Sequence, residues 1–208
     1  MAKILCFGDS NTLGLDPMDN WEMMERSWPV ILGDLVENAD IEIDGVCHRT
    51  TSYTLRNDPE TNGIASFKSK YIDKREVFDV IIIMLGTNDS QRILRNRPED
   101  TGNAVKHMVL MYKNGVCADT KFLIISPPLI GNAVLGMNPF QDLFDRNSVL
   151  KSKRVAKTLL SAATASGADF MNADSFIKTS SQDGVHFSQE NHAKLAAAVA
   201  RKLELMGI

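Results

Sequence analysis

The sequence predicts a single α/β domain, residues 1–208, in which helices cover both faces of a five-stranded parallel sheet. Three observations lead to this fold class. Short apolar runs end at glycine or proline, as strands buried on both faces of a parallel sheet do. Amphipathic helical patterns alternate with these runs, which is the order of elements in βαβ units. Neither an internal repeat nor a linker divides the chain.

Five segments have the composition of strands. The first ends at Gly8, and the second alternates polar and apolar residues before Gly45. The third is apolar almost throughout, which is typical of a central strand. The predicted strands are 3–7, 41–46, 78–85, 121–126 and 169–172.

The helices are predicted from apolar residues that recur with helical spacing. Pro98 opens one helix, with acidic residues in its first turn. Gly167 ends the next helix, and Ser188 is the expected N-cap of the last one. The predicted helices are 28–37, 63–73, 98–114, 142–166 and 188–206.

Length and composition are those of an ordinary globular protein. The chain has 208 residues, of which 44% are hydrophobic and 24% charged. A net charge of -3 gives no reason to expect nucleic acid as a partner. No apolar run approaches the length of a membrane span, and the first strand begins too early for a signal peptide. We therefore expect a cytoplasmic protein without a membrane span.

The sequence also argues against metal and cofactor sites. Cys6, Cys47 and Cys117 are far apart and odd in number, which fits neither a disulfide framework nor a zinc site. The chain contains no Gly-x-Gly-x-x-Gly motif and no phosphate loop, so a redox or nucleotide function is not expected. We expect no cofactor and no metal.

Polar residues follow the ends of three predicted strands. Ser10 follows the first strand, His48 the second and Asn88 the third. The carboxyl ends of parallel strands meet at one edge of the sheet, where ligands bind. Asp183 and His186 lie in the loop before the last helix, which can reach the same edge. At this position Ser10 is either a nucleophile or an ordinary helix N-cap.

The residue types at this edge suit nucleophilic catalysis. A serine hydroxyl needs a base, and His186 can take its proton and return it to the leaving group. Asp183, three residues upstream, can hold the imidazole in one tautomer. The Asn88 amide and the backbone N–H groups of Ser10 and the His48 region are candidate donors to an oxyanion. His48 is also a second candidate for the base.

Three ordered blocks resemble the motifs of the SGNH, or GDSL-type, hydrolases. They are Gly8-Asp9-Ser10, Gly86-Thr87-Asn88-Asp89 and Asp183-Gly184-Val185-His186. The resemblance implies the three-layer, flavodoxin-like fold of that family, with strand order 2-1-3-4-5. It also implies Ser10, Asp183 and His186 as catalytic residues and an oxyanion hole of Ser10, Asn88 and a backbone N–H after the second strand, for which we expect His48. Asp9 belongs to the first motif, and we expect it to brace its turn.

One block departs from the family pattern. Arylesterase-like members have a glycine where this chain has His48, in the stretch Gly45-Val46-Cys47-His48-Arg49-Thr50-Thr51. A backbone donor does not need to be glycine, so we expect the His48 N–H to serve, with Gly45 as the alternative. The histidine side chain is expected to narrow the acyl pocket or to add a polar contact.

The resemblance leans towards the arylesterase and acyltransferase branch. It implies a serine esterase that cleaves small-molecule esters, with short acyl or aryl groups, through an acyl-enzyme. Alternatives on the same site are a carbohydrate O-acetylesterase, a lysophospholipase or thioesterase, and an acyltransferase. A catalytically silent binding module is the alternative of another class. Members of this branch often form homo-oligomers, and Trp21 to Met24 is a candidate subunit contact.

The substrate pockets are expected in two irregular stretches, 11–27 and 127–146. Their apolar residues are Trp21, Trp28, Pro127, Pro128, Leu129, Leu135 and Phe140. Trp28 and Phe140 fit the core equally well. His107 and His192 fall within predicted helices and are expected to be structural or solvated.

Overall fold

A five-stranded parallel sheet forms the centre of the protein, with strand order β2-β1-β3-β4-β5. The structure is a computed structural model that describes residues 1–136, 140 and 142–208. Its strands are β1 (Ala2–Gly8), β2 (Ala39–Gly45), β3 (Val80–Met84), β4 (Lys121–Ser126) and β5 (Asp169–Asn172). All four pairings are parallel, which confirms the predicted fold class and strand order.

Helices cover both faces of the sheet, as predicted. One face packs against α2 (Trp28–Leu35) and α6 (Gln189–Leu205). The other face packs against α3 (Gly63–Phe67), α4 (Pro98–Gly115) and α5 (Arg146–Ser166). A four-residue helix, α1 (Ser10–Leu13), follows β1 after a single residue.

The central strand β3 is apolar throughout because both of its faces are covered. All five of its residues are buried. Ile82 packs into the core under α2 and α6, whereas Ile81 and Ile83 pack into the core under α3, α4 and α5. Side chains alternate between the faces of a strand, so a strand covered on both sides needs a continuous apolar run.

The register of the strands brings three loops to one edge of the sheet. Gly8 at the end of β1 pairs with Gly45 of β2 and with Met84 of β3. These three strands therefore end level with one another. The residues that follow them, which include Ser10, His48 and Asn88, emerge side by side.

Two predicted helices differ from the structure. The helix predicted from residue 142 begins at Arg146, because the Asp145 side chain accepts a hydrogen bond from the Ser148 N–H at 2.9 Å and caps the helix there. The helix predicted over 63–73 is α-helical only to Phe67 and continues as a π-helical segment, Lys68–Ile72.

Trp28 and His192 join α2 to α6 in the core, so Trp28 does not line a substrate pocket. Both side chains are fully buried. The Trp28 backbone N–H donates to His192 Nδ1 at 3.0 Å, and the imidazole lies against the Phe187 ring with centroids 4.3 Å apart. Burial and, less strongly, the charge of His186 lower the pKa of His192 to about 3.

The buried His192 makes stability depend on pH. Its pKa falls from an ordinary 6.5 to about 3 on folding. The neutral imidazole therefore contributes fully to the free energy of unfolding above pH 6.5, and this contribution is lost as the pH falls towards 3. In His192→Gln this loss is absent. We expect the free energy of unfolding of the wild type, measured relative to His192→Gln, to decrease by about 1.4 kcal/mol per pH unit between pH 6 and pH 4.

Urea unfolding at several pH values measures this difference. Taking the difference between the two proteins cancels the contributions of other titrating groups. His107→Gln, at an exposed position of α4, is the matched control. Parallel stability curves for the wild type and His192→Gln would contradict the prediction.

Candidate active site

Ser10 is the first residue of α1, immediately beyond the carboxyl end of β1. The N-cap is Asp9 and not Ser10, because the Asp9 carboxylate accepts a hydrogen bond from the Asn11 N–H at 3.0 Å. Gly8 permits the tight turn, since a Cβ at this position would lie 2.0 Å from the Thr12 hydroxyl oxygen. The cap therefore leaves the Ser10 hydroxyl free to contact other groups.

The structure brings Ser10, His186 and Asp183 into one hydrogen-bonded chain. Ser10 Oγ lies 2.9 Å from His186 Nε2, and His186 Nδ1 lies 2.7 Å from Asp183 Oδ2. All three residues are at most 6% exposed. With its proton on Nδ1, the imidazole donates to Asp183 and accepts from the Ser10 hydroxyl.

Within the described part of the chain, the Asp183 carboxylate accepts four hydrogen bonds. Oδ1 accepts from the N–H groups of Val185 and His186 at 2.8 and 3.0 Å. Oδ2 accepts from His186 Nδ1 and from the indole N–H of Trp21 at 3.0 Å. Burial by itself raises the pKa of Asp183, but these donors and the charge of His186 outweigh it, so the pKa is lower than usual. Asp183 is thus kept ionised although it is fully buried.

The turn that carries Asp183 and His186 is held from two sides. Gly184 adopts a left-handed φ of 72°, and a Cβ there would lie 2.7 Å from the Gly131 carbonyl oxygen. On the other side, the Asn11 amide of α1 donates to the Val185 carbonyl at 3.2 Å. The turn is therefore connected directly to the helix that begins with Ser10.

Asn88 lies beside Ser10 with its amide orientation defined by two partners. Its Nδ2 donates to the Arg49 carbonyl at 3.2 Å, and its Oδ1 accepts from the Gln91 side chain at 3.0 Å. An amide nitrogen carries two hydrogens, so one N–H of Asn88 is left for another acceptor. The sequence analysis did not identify Gln91, which is buried and near Asn88 in sequence.

His48 lines the same cleft as Ser10 and Asn88. Its backbone has a left-handed φ of 63°, a conformation that favours glycine. Among the described residues, its backbone N–H donates to no acceptor. Burial and then the charges of Arg56 and His186 lower the pKa of its imidazole. Gly45 does not line this cleft; a Cβ there would lie 2.3 Å from the Leu13 backbone nitrogen.

A buried arginine connects the loops that carry these residues. The Arg49 guanidinium is fully buried and donates to the carbonyls of Gly8 and Asp44 at 3.0 and 2.7 Å. It also forms an ion pair with the Asp44 carboxylate at 2.9 Å and stacks on the Phe7 ring, 4.2 Å from the centroid. The sequence analysis quoted Arg49 only as part of a motif, because its partners are apparent only in the folded chain.

Two further buried carboxylates lie close to the site. The Asp89 carboxylate accepts from the Thr51 backbone N–H at 3.0 Å. Burial raises the pKa values of Asp9 and Asp89 to about 6, although hydrogen bonds from Asn11 to Asp9 and from Thr51 to Asp89 act in the opposite direction. Asp9 is the N-cap of α1 and so braces the turn between β1 and this helix, which is the role expected from the sequence.

The cleft at Ser10 is small and largely apolar, with a volume of about 40 Å³. Of the apolar residues named for the pockets, Phe140 lines this cleft. Leu15, Leu143 and Phe144 also line it and lie within the two predicted stretches, although they were not named singly; Val185 lies outside both stretches. The predicted pocket stretch 127–146 includes residues 137–139 and 141, which lie outside the described residues.

Among residues 1–136, 140 and 142–208, no group of three or more His, Cys, Asp or Glu side chains is arranged to hold a metal ion. In the same part of the chain, no helix combines the length and the apolar character that a membrane crossing requires.

Comparisons with known proteins agree with this architecture. The Est24 carbohydrate acetylesterase from Sinorhizobium meliloti is 27% identical, with a TM-score of 0.86 over 99% of this chain and 100% of that chain. The inhibitor-bound aryl esterase of M. smegmatis is 29% identical, with a TM-score of 0.83 over 98% of this chain and 99% of that chain. No curated protein sequence matches the chain.

A parallel α/β sheet that carries a serine, a histidine and an aspartate in hydrogen-bond contact at one edge is typical of ester hydrolases. The family model for GDSL-like lipases and acylhydrolases matches residues 4–199. The chain belongs to this family, as the motif resemblance implied, and is a carboxylic ester hydrolase with the SGNH fold.

Arg49→Lys is expected to destabilise the protein, because an ammonium group cannot contact both carbonyls and the Asp44 carboxylate in the same geometry. We expect the free energy of unfolding to fall by about 2 kcal/mol or more. The matched control is Arg154→Lys, which alters an exposed ion pair with Glu99 and should change stability by less than about 0.5 kcal/mol. Chemical denaturation of both variants measures the difference; equal effects would contradict the prediction.

Proposed function

We propose that the protein hydrolyses small esters of short carboxylic acids, with Ser10 as nucleophile, His186 as general base and acid, and Asp183 as the group that orients His186. The observation that carries this proposal is the continuous hydrogen-bonded chain from Ser10 Oγ through both ring nitrogens of His186 to Asp183. Four donors keep Asp183 ionised, so it can stabilise the imidazolium that forms during the reaction.

In the first half of the reaction, His186 Nε2 takes the hydroxyl proton while Ser10 Oγ attacks the ester carbonyl carbon. The tetrahedral intermediate carries a negative charge on the former carbonyl oxygen. When it collapses, the bond to the alcohol oxygen breaks and His186 returns the proton to the leaving alcohol. An acyl group then remains bound to Ser10 as an ester.

In the second half, a water molecule attacks the acyl-enzyme. His186 takes a proton from the water, and the new tetrahedral intermediate collapses with release of the carboxylic acid. His186 returns the proton to Ser10 Oγ, which restores the enzyme. Transfer to an alcohol in place of water would give the acyltransferase alternative.

The oxyanion hole of this proposal consists of the backbone N–H groups of Ser10 and His48 and the Asn88 side-chain amide. Two observations favour His48 over Gly45: its N–H donates to no acceptor in the described part of the chain, and it lines the cleft. Gly45 instead lies against Leu13, where it allows α1 to pack on β2. Gln91 and the Arg49 carbonyl orient Asn88 before substrate binds, which lowers the reorganisation that an oxyanion donor needs.

The size of the cleft supports short acyl groups. The cleft that Phe140, Leu143 and Phe144 bound is small, with a volume of about 40 Å³, and this favours a short acyl group such as acetyl over the long chain of a lysophospholipid. An acetylated carbohydrate remains a second candidate substrate, since it presents the same acyl group; similarity to the Est24 carbohydrate acetylesterase favours it. A panel of aryl acetates and sugar acetates would distinguish the two alcohol groups.

Ser10→Ala is expected to lower kcat for p-nitrophenyl acetate by at least about 10⁴-fold, because the nucleophile is lost. A fluorophosphonate probe should label Ser10 in the wild type and fail to label the variant. Unchanged turnover by Ser10→Ala would contradict the proposal. Absence of labelling in a folded wild-type protein would favour the silent binding module.

His48→Gly tests the backbone donor and the acyl pocket together. Glycine keeps the N–H and adopts the left-handed backbone without strain, so we expect acetate hydrolysis to stay within about threefold of wild type. Removal of the imidazole enlarges the cleft, so the butyrate-to-acetate ratio of kcat/KM should rise. A loss of about 100-fold on acetate would instead indicate that the His48 side chain acts as the base.

A further inference from the structure

The indole of Trp21 contacts the Asp183 carboxylate from a distant part of the chain. Trp21 Nε1 donates to Asp183 Oδ2 at 3.0 Å across 162 residues of sequence. Among the described residues, the other three donors to this carboxylate are groups of Val185 and His186, which belong to the same turn as Asp183. Trp21 is thus the one donor to Asp183 from outside this turn in the described part of the chain.

Trp21 belongs to a loop that closes on itself. The loop, residues 15–23, has its ends joined by an antiparallel bridge between Leu15 and Met23. Within the loop, the backbone N–H of Trp21 donates to the Asp16 carbonyl at 2.9 Å. Trp21 has a left-handed φ of 58°, which is unfavourable for a bulky residue. The surrounding contacts must therefore compensate for this backbone conformation.

A second set of contacts links the same side chain to the imidazole. The Trp21 ring meets the Phe140 ring edge to face, with centroids 5.6 Å apart. Phe140 in turn lies 5.3 Å from the His186 ring, centroid to centroid. The half-buried Trp21 side chain thus contacts the Asp183 carboxylate and also the Phe140 ring, which packs on His186.

We propose that Trp21 is a positioning residue for the Asp183–His186 pair. Its indole N–H holds Asp183 Oδ2 in the plane in which this oxygen accepts the proton of His186 Nδ1. The backbone N–H groups of Val185 and His186 hold Asp183 Oδ1. Donors on both oxygens fix the rotation of a carboxylate about its Cβ–Cγ bond. The inference rests on the proposed function, because positioning has a catalytic meaning only if His186 is the base.

The Trp21 N–H also withdraws negative charge from Oδ2. If this donor is removed, Asp183 Oδ2 carries more negative charge next to His186. The carboxylate then stabilises the protonated imidazole more strongly relative to the neutral imidazole. Other titratable groups of the described residues that interact electrostatically with His186 include Asp9, His48 and His192. Substitution of Trp21 leaves all three in place, so a shift in the pH profile reports on Asp183.

Trp21→Phe keeps an aromatic ring and removes the donor. Trp28→Phe is the matched control, because the Trp28 indole N–H is buried and has no hydrogen-bond partner among the described residues. For Trp21→Phe we expect kcat to fall about tenfold, because one hydrogen bond to a charged group is lost. KM should stay within about twofold of wild type. The acid limb of its kcat/KM profile should move to higher pH. Trp28→Phe should lower the melting temperature and leave the acid limb in place.

The indole N–H resonances give a second readout that does not depend on turnover. The chain has two tryptophans, so a ¹H–¹⁵N spectrum contains two indole signals, and each variant assigns one of them. In the wild type we expect the Trp21 signal downfield of the Trp28 signal. In Asp183→Asn the Trp21 signal should move upfield while the Trp28 signal stays.

The outcomes separate the inference from the proposed function. If Trp21→Phe has the kcat and the acid limb of wild type, or if Asp183→Asn leaves the Trp21 signal unmoved, the positioning role is wrong. If the folded wild type neither hydrolyses esters nor reacts with a fluorophosphonate at Ser10, the proposed function is wrong. The resonance experiment remains decisive for the contact if Trp21→Phe does not fold.

Discussion

The loops at the active edge of the sheet depend on the hydrogen bonds of one buried guanidinium. Arg49 donates to the Gly8 carbonyl, two residues before Ser10, and to both the carbonyl and the carboxylate of Asp44 in β2. Its own carbonyl accepts from the Asn88 amide after β3. The ends of three neighbouring strands are thus tied to one residue. A buried ion pair contributes little net stability compared with an apolar pair. Its importance here is geometric, since Arg makes several directed hydrogen bonds at once.

The three buried aspartates near Ser10 differ in pKa because hydrogen bonds and the charge of His186 together outweigh burial only at Asp183. Burial raises the pKa of each of them. Asp183 accepts four hydrogen bonds and faces His186, and its pKa ends below the usual range. At Asp9 and Asp89 the donors are insufficient, and the pKa rises to about 6. This separation fits the roles assigned to them: Asp183 remains charged next to the imidazole, whereas Asp9 and Asp89 hold loop and helix backbone in place.

His48 combines a backbone conformation suited to glycine with a side chain that fills part of the cleft. Its left-handed φ of 63° is a conformation that glycine adopts more readily than histidine. A non-glycine residue here costs about 1 kcal/mol in backbone strain. The side chain lines the small cleft next to Ser10, so its effect falls on the space available to the acyl group.

Local periodicity was enough to predict the five strands and the helices on either side of the sheet, and short motifs were enough to predict that Ser10, Asn88, Asp183 and His186 lie at one edge of it. The sequence patterns misplaced the start of α5 and left open whether Ser10 is an N-cap. Several polar residues lie next to each other at both of these helix starts, and only the backbone geometry selects the one that caps the helix. The tertiary structure alone decided the contacts of Arg49, Gln91 and Trp21, the core position of Trp28 and the lining of the cleft. The contact between Trp21 and Asp183, for example, joins residues 162 apart in sequence, and no local pattern encodes which donor will face a given carboxylate once the chain has packed.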